Sequence, residues 1–130
     1  MRGVVLIILY ANIVKSLSIP EVASGIFVSG NYAYLANDNN GLKIVDISDP
    51  ANASIVKTVD TPGNAKGVYV SGKYAYVADG FSLQVIDINE PTNACIIKSV
   101  DIPGSAYGVY INGRYVYVAA YSGGIIILGE

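Results

Sequence analysis

The stretch IVKTVDTP at residues 55–62 decides the fold, because the chain carries two close copies of it. The copies are IVKSLSIP at residues 13–20 and IIKSVDIP at residues 96–103. Each is followed by Ala-x-Gly, an apolar stretch, a two-residue turn and Tyr-x-Tyr, so one unit is about 42 residues long. A repeat of this length indicates that one supersecondary unit is stacked several times along the chain.

Turn signals divide each unit into four short strands. In the first unit we expect strands at residues 25–28, 32–36, 42–47 and 55–60, with equivalents in the other copies. Gly-containing two-residue connections, such as SG at residues 71–72, favour tight hairpins. Because no apolar set recurs at the i, i+3, i+4 spacing of a helix, the sequence predicts an all-β fold.

The predicted strands are apolar on both faces. In YAYVA at residues 74–78, one face carries the two tyrosines and the other carries small aliphatic side chains. A sheet with one face in water would show polar residues at every second position. Four-stranded sheets buried on both faces, repeating every 40 to 45 residues or so, are typical of β-propeller blades. We therefore predict about three blades; the alternative, a β-solenoid, usually has shorter coils without a hairpin at each strand end.

The third strands resemble a known family. LKIVDISDP at residues 42–50 and LQVIDINEP at residues 83–91 resemble the signature of the LVIVD repeat, a propeller-type repeat of bacterial and archaeal cell-surface proteins. The segments at residues 30–36 and 72–78 resemble the neighbouring strand of that family. The third copy departs from the pattern, because residues 124–130 lack the Asp-x-x-x-Pro ending. The resemblance implies a scaffold at the cell exterior.

The domain organisation follows from the repeat. We predict three LVIVD-type units at residues 13–54, 55–95 and 96–130, which form one propeller portion after a segment at residues 1–12. The apolar run at residues 4–11 is far below the roughly 20 residues of a spanning helix. This run is interpreted either as an extra strand or as a short signal-like segment. We expect an extracellular or cell-surface location, with the cytoplasm as the alternative.

The composition excludes several classes of function. A chain that is 52% hydrophobic and 14% charged, with a net charge of -2, is too apolar to be disordered and is not basic enough to favour nucleic acid. A single Cys cannot form a disulfide within the chain. With no His, the commonest general base and the commonest metal ligand are both missing. We therefore assign no catalytic residue, metal or cofactor and favour a non-enzymatic protein.

Several conspicuous residues are expected to have structural roles. Asp46 and Asp87 end the third strands and should accept backbone N–H bonds in the following turns. NDNNG at residues 37–41 lacks the ligand spacing of an EF-hand, so we expect a turn there instead of a Ca²⁺ site. The Tyr-x-Tyr side chains should pack between blades and not form a stacking platform. Cys95 should be a small buried filler, and Asn52 begins a short glycosylation pattern.

A binding site is expected where the copies differ, because structural duties recur in every copy. The unit also resembles YVTN-like propellers in strand order. That resemblance implies that the loops before the first strand and between the second and third strands share one face around the channel. The candidate ligand- or partner-binding residues are the variable positions on these loops: Glu21, Ser24, Asn37, Asp38, Lys66, Asp79, Tyr107 and Tyr121. The alternative is that they are ordinary solvated loop residues.

Two classes of function stay open. The leading one is a non-catalytic propeller scaffold that binds a protein or a glycan through these loops. The alternative is a metal-assisted hydrolase or lyase that uses Asn37, Asp38 and Asp79 at the channel mouth, since oxygen-only sites bind Ca²⁺ or Mg²⁺.

The strand count predicts a partner. Three blades are fewer than the four to eight that close a ring, so two apolar blade faces are left without a neighbour. The units begin with a fourth-type strand at residues 13–19 and finish with a third strand at residues 125–128. Exchange of that first strand between two chains would give a homodimer with six blades. The alternative is that the chain is part of a longer propeller, and residues 4–9 resemble a competing third strand.

Overall fold

The computed structural model describes residues 11–130 and contains two antiparallel sheets. The four-stranded sheet has the order β1 (Gly25–Ser29), β2 (Tyr32–Ala36), β3 (Leu42–Asp46) and β4 (Ser54–Val59). The five-stranded sheet has the order β5 (Ala65–Ser71), β6 (Tyr74–Asp87), β7 (Cys95–Asn112), β8 (Tyr115–Ala120) and β9 (Gly124–Leu128). Short 3₁₀ turns at Pro50–Asn52 and Pro91–Asn93 precede β4 and β7. The predicted all-β fold is confirmed.

The five-stranded sheet contains the second blade and the three strands of the third blade. β6 pairs with β5 through residues 74–79 and with β7 through residues 80–87. β7 in turn pairs with β6 up to Ala106 and with β8 from Ala106 onwards. The first blade is therefore β1–β4, the second blade runs from β5 to the first half of β7, and the third blade is the second half of β7 with β8 and β9.

The strand bounds of the first blade agree with the sequence-based prediction to within one residue at each end. In the second blade, the second and third strands of the unit are joined within the continuous strand β6. The Ile88 N–H donates to the Lys73 carbonyl at 2.8 Å, and in the first blade the Ile47 N–H donates to the Asn31 carbonyl at 2.8 Å. The same backbone hydrogen bond thus closes the end of this strand pair away from the turn in both copies.

Residues 13–19 were expected to form a fourth-type strand, and within the single chain this prediction is wrong. They form no strand there, and Ile13 is 86% exposed. Val14 and Leu17 line a groove with Ile26 on the outer side of the first blade. A fourth strand pairs with the third strand of its own blade, and in the first blade β4 already occupies that edge of β3.

Residues 1–10, which include most of the apolar run at residues 4–11, lie outside the described residues. The interpretations of that run as an extra strand or as a signal-like segment therefore stay predictions. Over residues 11–130, no helix has the length and apolar character needed to cross a membrane.

The hydrophobic core lies between the blades and has two parts. The first part joins the first and second blades, where Leu42 and Ile44 of β3 share a cluster with residues of β5 and β6. The second part joins the second and third blades and contains Leu83, Ile102 and Val118. Each part is made of residues from two blades, so blade-to-blade packing is what buries the apolar surface.

The middle blade shows why its strands are apolar on both faces. Alternate residues of β6 point to opposite sides: Ala75 and Val77 belong to the first part of the core, and Tyr76 and Ala78 pack in the second. A strand buried on both sides needs apolar residues at consecutive positions. This confirms the sandwiched arrangement predicted from residues 74–78.

The Ala-x-Gly motifs bring the first strands of adjacent blades into backbone contact. A Cβ atom on Gly25 would lie 2.9 Å from the Lys66 carbonyl oxygen, and one on Gly67 would lie 2.8 Å from the Tyr107 carbonyl oxygen. Neither position has room for a side chain, which explains why the motif ends in glycine. At Gly108, the third member of the series, a Cβ atom would meet only the Ala119 methyl group, at 3.6 Å.

Replacing Gly67 by alanine is expected to lower the free energy of unfolding by about 1–3 kcal/mol, because the new methyl group overlaps the Tyr107 carbonyl. Urea unfolding followed by far-UV circular dichroism measures the change. Ser71→Ala, at the exposed end of the same strand, is the matched control and should shift stability by less than about 0.5 kcal/mol. Equal stability of the two variants would contradict the close approach of the blades.

Candidate functional site

The loops that precede the first strands and those that join the second and third strands meet at one end of the blades. Asp38 and Ala65 exchange two backbone hydrogen bonds of 2.9 Å between the first and second blades. Gly80 pairs with Ala106 at the equivalent place between the second and third blades. We call this end the loop face and define it as residues 20–24, 37–41, 61–64, 79–82, 103–107 and 121–123.

Asn37 lies on the loop face but is fully buried. Its Nδ2 donates to the carbonyl oxygens of Pro20 at 2.7 Å and Val22 at 3.1 Å, so the side chain fastens the loop that leads into β1. Its Oδ1 is buried and accepts no hydrogen bond from the described residues. Asn37 therefore has a structural role in this chain, with one acceptor left over.

Asp79 occupies the same position in the second blade and also fastens the loop before the first strand. It does so by accepting hydrogen bonds, whereas Asn37 donates them. The Asp79 Oδ1 accepts a hydrogen bond from the Thr61 hydroxyl at 2.7 Å, and its Oδ2 accepts one from the Gly63 N–H at 2.9 Å. The side chain is 1% exposed, so neither oxygen faces the solvent. In the third blade the position is Ala120, which makes no such bond.

Asp38 and Lys66 form an ion pair across the first two blades. The Lys66 Nζ lies 3.0 Å from the Asp38 Oδ1, and both side chains are partly exposed. This Oδ1 is buried and accepts no well-aligned hydrogen bond, so the charge of Lys66 compensates it. A pair of this exposure contributes at most about 1 kcal/mol to stability, and it gives the loop face both signs of charge.

Tyr107 and Tyr121 form an exposed aromatic pair on the loop face of the third blade. Their ring centroids are 4.4 Å apart and the ring planes are inclined by 31°. Tyr107 is 44% exposed and Tyr121 is 73% exposed, although the two rings shield each other. A large part of this paired aromatic surface therefore remains open to a ligand.

The two remaining candidates differ in their roles. The Ser24 hydroxyl donates to the Ala65 carbonyl at 3.1 Å and so ties the first blade to the second. Glu21 is exposed and has a φ of 63°, the left-handed region that non-glycine residues seldom adopt. Of the predicted residues, Ser24, Asn37 and Asp79 hold the loops, and the others present side chains at the surface.

The aspartates at the ends of the third strands behave as predicted. Asp46 Oδ1 accepts hydrogen bonds from the Ser48 N–H at 2.9 Å and the Ser48 hydroxyl at 2.7 Å. Asp87 Oδ1 accepts one from the Asn89 N–H at 2.9 Å. The Ser48 N–H, followed by the Ser48 hydroxyl, holds the pKa of Asp46 below its usual value.

The segment at residues 37–41 forms the predicted turn. The Asn40 N–H donates to the Asn37 carbonyl at 3.0 Å, and Gly41 closes the turn with a φ of 74°. Across residues 11–130, no three Asp, Glu or Cys side chains form a group that could hold a metal ion.

Two expectations about side-chain burial need correction. Cys95 is exposed and not a buried filler, because it begins the outermost strand of its blade, where the equivalent Ser54 is exposed as well. In the Tyr-x-Tyr motifs, Tyr34 is only 3% exposed, but Tyr74 and Tyr115 are 37% and 49% exposed. These two follow the hairpin turns at the end opposite to the loop face.

One feature shared by all copies was missed in the sequence. Phe27, Tyr69 and Tyr110 lie at the same position of the three first strands, two residues after the glycine of Ala-x-Gly. Their rings form a row across the blades, with centroids 4.6 Å apart from Phe27 to Tyr69 and again from Tyr69 to Tyr110. Aligning the copies position by position would have revealed this aromatic row.

Removing the Asp79 carboxylate should test its structural role. Asp79→Ala leaves the partly buried Gly63 N–H and Thr61 hydroxyl without their acceptor, and it should lower the free energy of unfolding by about 1–3 kcal/mol. Asp87→Ala is the matched control: it removes an exposed turn bond and should cost less than about 1 kcal/mol. Thermal unfolding that ranks the two variants in the reverse order would refute the assignment.

Two solved structures match this chain over most of its length. A crystal structure of a functionally unknown protein from Desulfotomaculum acetoxidans DSM 771 matches with a TM-score of 0.71 and 18% identity. The match covers 86% of this chain and 44% of that one, so this chain spans less than half the length of that protein. The computationally designed Ika4 protein matches with a TM-score of 0.49 and 12% identity over 92% of this chain and 99% of that one.

In the sequence comparisons, each repeat match coincides with one blade. No curated protein matches the chain. The LVIVD repeat model matches residues 22–61, 62–102 and 103–128. Each match begins in the loop before a first strand, so its boundaries are shifted from the units predicted above. Together the matches cover all three blades, and the chain belongs to the LVIVD repeat family.

Proposed function

We propose that this LVIVD repeat scaffold is non-catalytic and binds a protein or glycan ligand through its loop face, at the cell surface. The observation that carries the proposal is the exposed aromatic pair of Tyr107 and Tyr121. The location at the cell surface rests on the resemblance to the family, and the choice of the loop face rests on the contacts described above.

The aromatic pair is not a requirement of blade packing. The equivalent positions of the second blade hold Lys66 and Gly80, and that blade has the same strands. Tyrosine has a large apolar ring and a hydroxyl that can donate or accept a hydrogen bond. Such rings stack on the apolar faces of sugars and are enriched in protein interfaces. The variation between copies and the exposure of the rings both favour a role in binding.

Polar groups complement the aromatic surface. The Asp38–Lys66 pair and the exposed Glu21 lie on the same loop face. They offer charged groups of both signs to a ligand that binds at this face. This combination of a rigid apolar platform with polar neighbours is typical of sites in which the polar groups supply specificity.

The alternative, a metal-assisted hydrolase or lyase, draws on Asn37, Asp38 and Asp79. The amide nitrogen of Asn37 and both carboxylate oxygens of Asp79 are engaged in hydrogen bonds that fasten the loops. The charge of Asp38 is compensated by Lys66. These contacts do not favour a reaction at this site, so catalysis is not part of the proposal.

The proposal can be tested with an array of immobilised oligosaccharides and, in parallel, with a panel of purified cell-surface proteins. We expect the chain to bind a member of one set, and Tyr107→Ser with Tyr121→Ser to weaken that binding at least about tenfold. The matched control is Tyr74→Ser with Tyr115→Ser, which removes two exposed rings from the opposite end. Loss of binding in the control alone, or the absence of binding to both sets, would contradict the proposal.

A further inference from the structure

We propose that the open faces of the first and third blades pair between two copies of this chain, so that two chains close one six-bladed ring. The proposal is independent of the ligand. It rests on the two junctions between blades within the chain. Each junction shows which contacts are missing on the outer faces of the first and third blades.

The outer face of the first blade carries the residue types of a blade junction, but no preceding blade covers it in residues 11–130. In the second blade, Val68 and Val70 of β5 face the first blade and are 8% and 6% exposed. The equivalent residues of β1, Ile26 and Val28, are 64% and 56% exposed. The same positions are thus buried when a preceding blade is present and open when none is.

The outer face of the third blade carries the complementary side of such a junction. Leu42 and Leu83, at the start of the third strands, are 0% and 1% exposed because a following blade covers them. Their equivalent in β9, Ile125, is 65% exposed, and Ile127 two residues later is 56% exposed. This face therefore fits a blade of the kind that follows in the other copies.

The glycine backbone contacts and the aromatic row both end at the third blade. Gly25 packs on Gly67 and Gly67 packs on Gly108, whereas Gly108 packs on no further first strand in residues 11–130. The row of rings stops at Tyr110, which is 60% exposed. In the ring, Gly108 would meet Gly25 of the second copy, and Tyr110 would meet Phe27 of the second copy.

A second copy is the occupant that fits both faces at once. Each face is the complement of the other, and a head-to-tail contact that closes after two chains leaves neither exposed. Six blades fall within the four to eight that form closed rings.

The segment at residues 13–19 can complete the third blade of the second copy. Within residues 11–130, β9 pairs with β8 alone, and its other edge has no partner among these residues. In the second blade, Gln84 pairs with Ser99 and their side chains are 2.8 Å apart. The equivalent residues at the open edge are Ile126 and Ser16 of the second copy. The segment would then leave the groove on the first blade and free that face.

The first test measures mass by light scattering over a range of dilutions. We expect the wild-type chain to have twice its 13.7 kDa mass, and Gly108→Ala to raise the dimer dissociation constant at least about tenfold with an unchanged circular dichroism spectrum. The single chain accommodates that methyl group at 3.6 Å from Ala119, so folding is not at stake. A monomeric wild type, a series of larger masses, or a Gly108→Ala dimer of unchanged affinity would overturn the proposal.

The second test probes the exchanged strand. Ser16→Cys and Ile126→Cys are made in separate chains that also carry Cys95→Ser, the residue found at the equivalent position 54. On mixing and mild oxidation, we expect a disulfide between the two chains. The control pairs Ser16→Cys with Lys98→Cys, on the exposed outer strand of the second blade. Cross-linking no faster than in the control would contradict the proposed pairing.

Discussion

The first strands of neighbouring blades touch backbone to backbone at the glycines of the Ala-x-Gly motifs, and the rest of the structure depends on this contact. At Gly25 and Gly67 the next blade approaches so closely that any side chain would overlap a carbonyl oxygen. This close approach allows Leu42 and Ile44 to be buried against the following blade and sets Phe27 on Tyr69. A larger residue would separate the blades and expose the core between them.

The same contact builds the loop face. When two first strands meet at their glycines, the loop after the second strand of one blade comes beside the Ala-x-Gly motif of the next, and Asp38 bonds to Ala65 through the backbone. Side chains beside this bridge can vary as long as the bridge remains. The first two blades use that freedom for the Asp38–Lys66 pair, and the third blade uses it for the exposed pair of Tyr107 and Tyr121.

The sequence was sufficient for the repeated strands and turns, although the repeated aromatic row of Phe27, Tyr69 and Tyr110 was missed. Turn chemistry located the strands of the first blade, and the recurring Asp46 indicated its own bond to the following turn. Features that depend on a neighbour were harder to predict. Residues 13–19 have the sequence of a fourth strand but lack a free third strand in their own blade. Cys95 lies on the outermost strand, which alternation alone does not distinguish from an inner one.

The sequence predicted that the candidate loops meet at one end of the blades, but not which task each side chain performs there. Asn37 and Asp79 differ between copies, which suggested a ligand site, yet both fasten the preceding loop. One donates to carbonyl groups and the other accepts from an N–H and a hydroxyl. Single positions do not reveal such compensation, because the complementary change lies in the loop that each side chain holds.

The most direct measurement of the central contact is the nuclear Overhauser effect between glycine α protons in the labelled chain. Gly25 and Gly67 are distant in sequence and belong to different sheets, and the Cβ direction of Gly25 ends 3.1 Å from the Gly67 Cα. If the first strands touch at these glycines, we expect strong α-proton effects between Gly25 and Gly67 and between Gly67 and Gly108. Effects confined to the hairpins within each blade, with none between these glycines, would contradict the contact between the first strands.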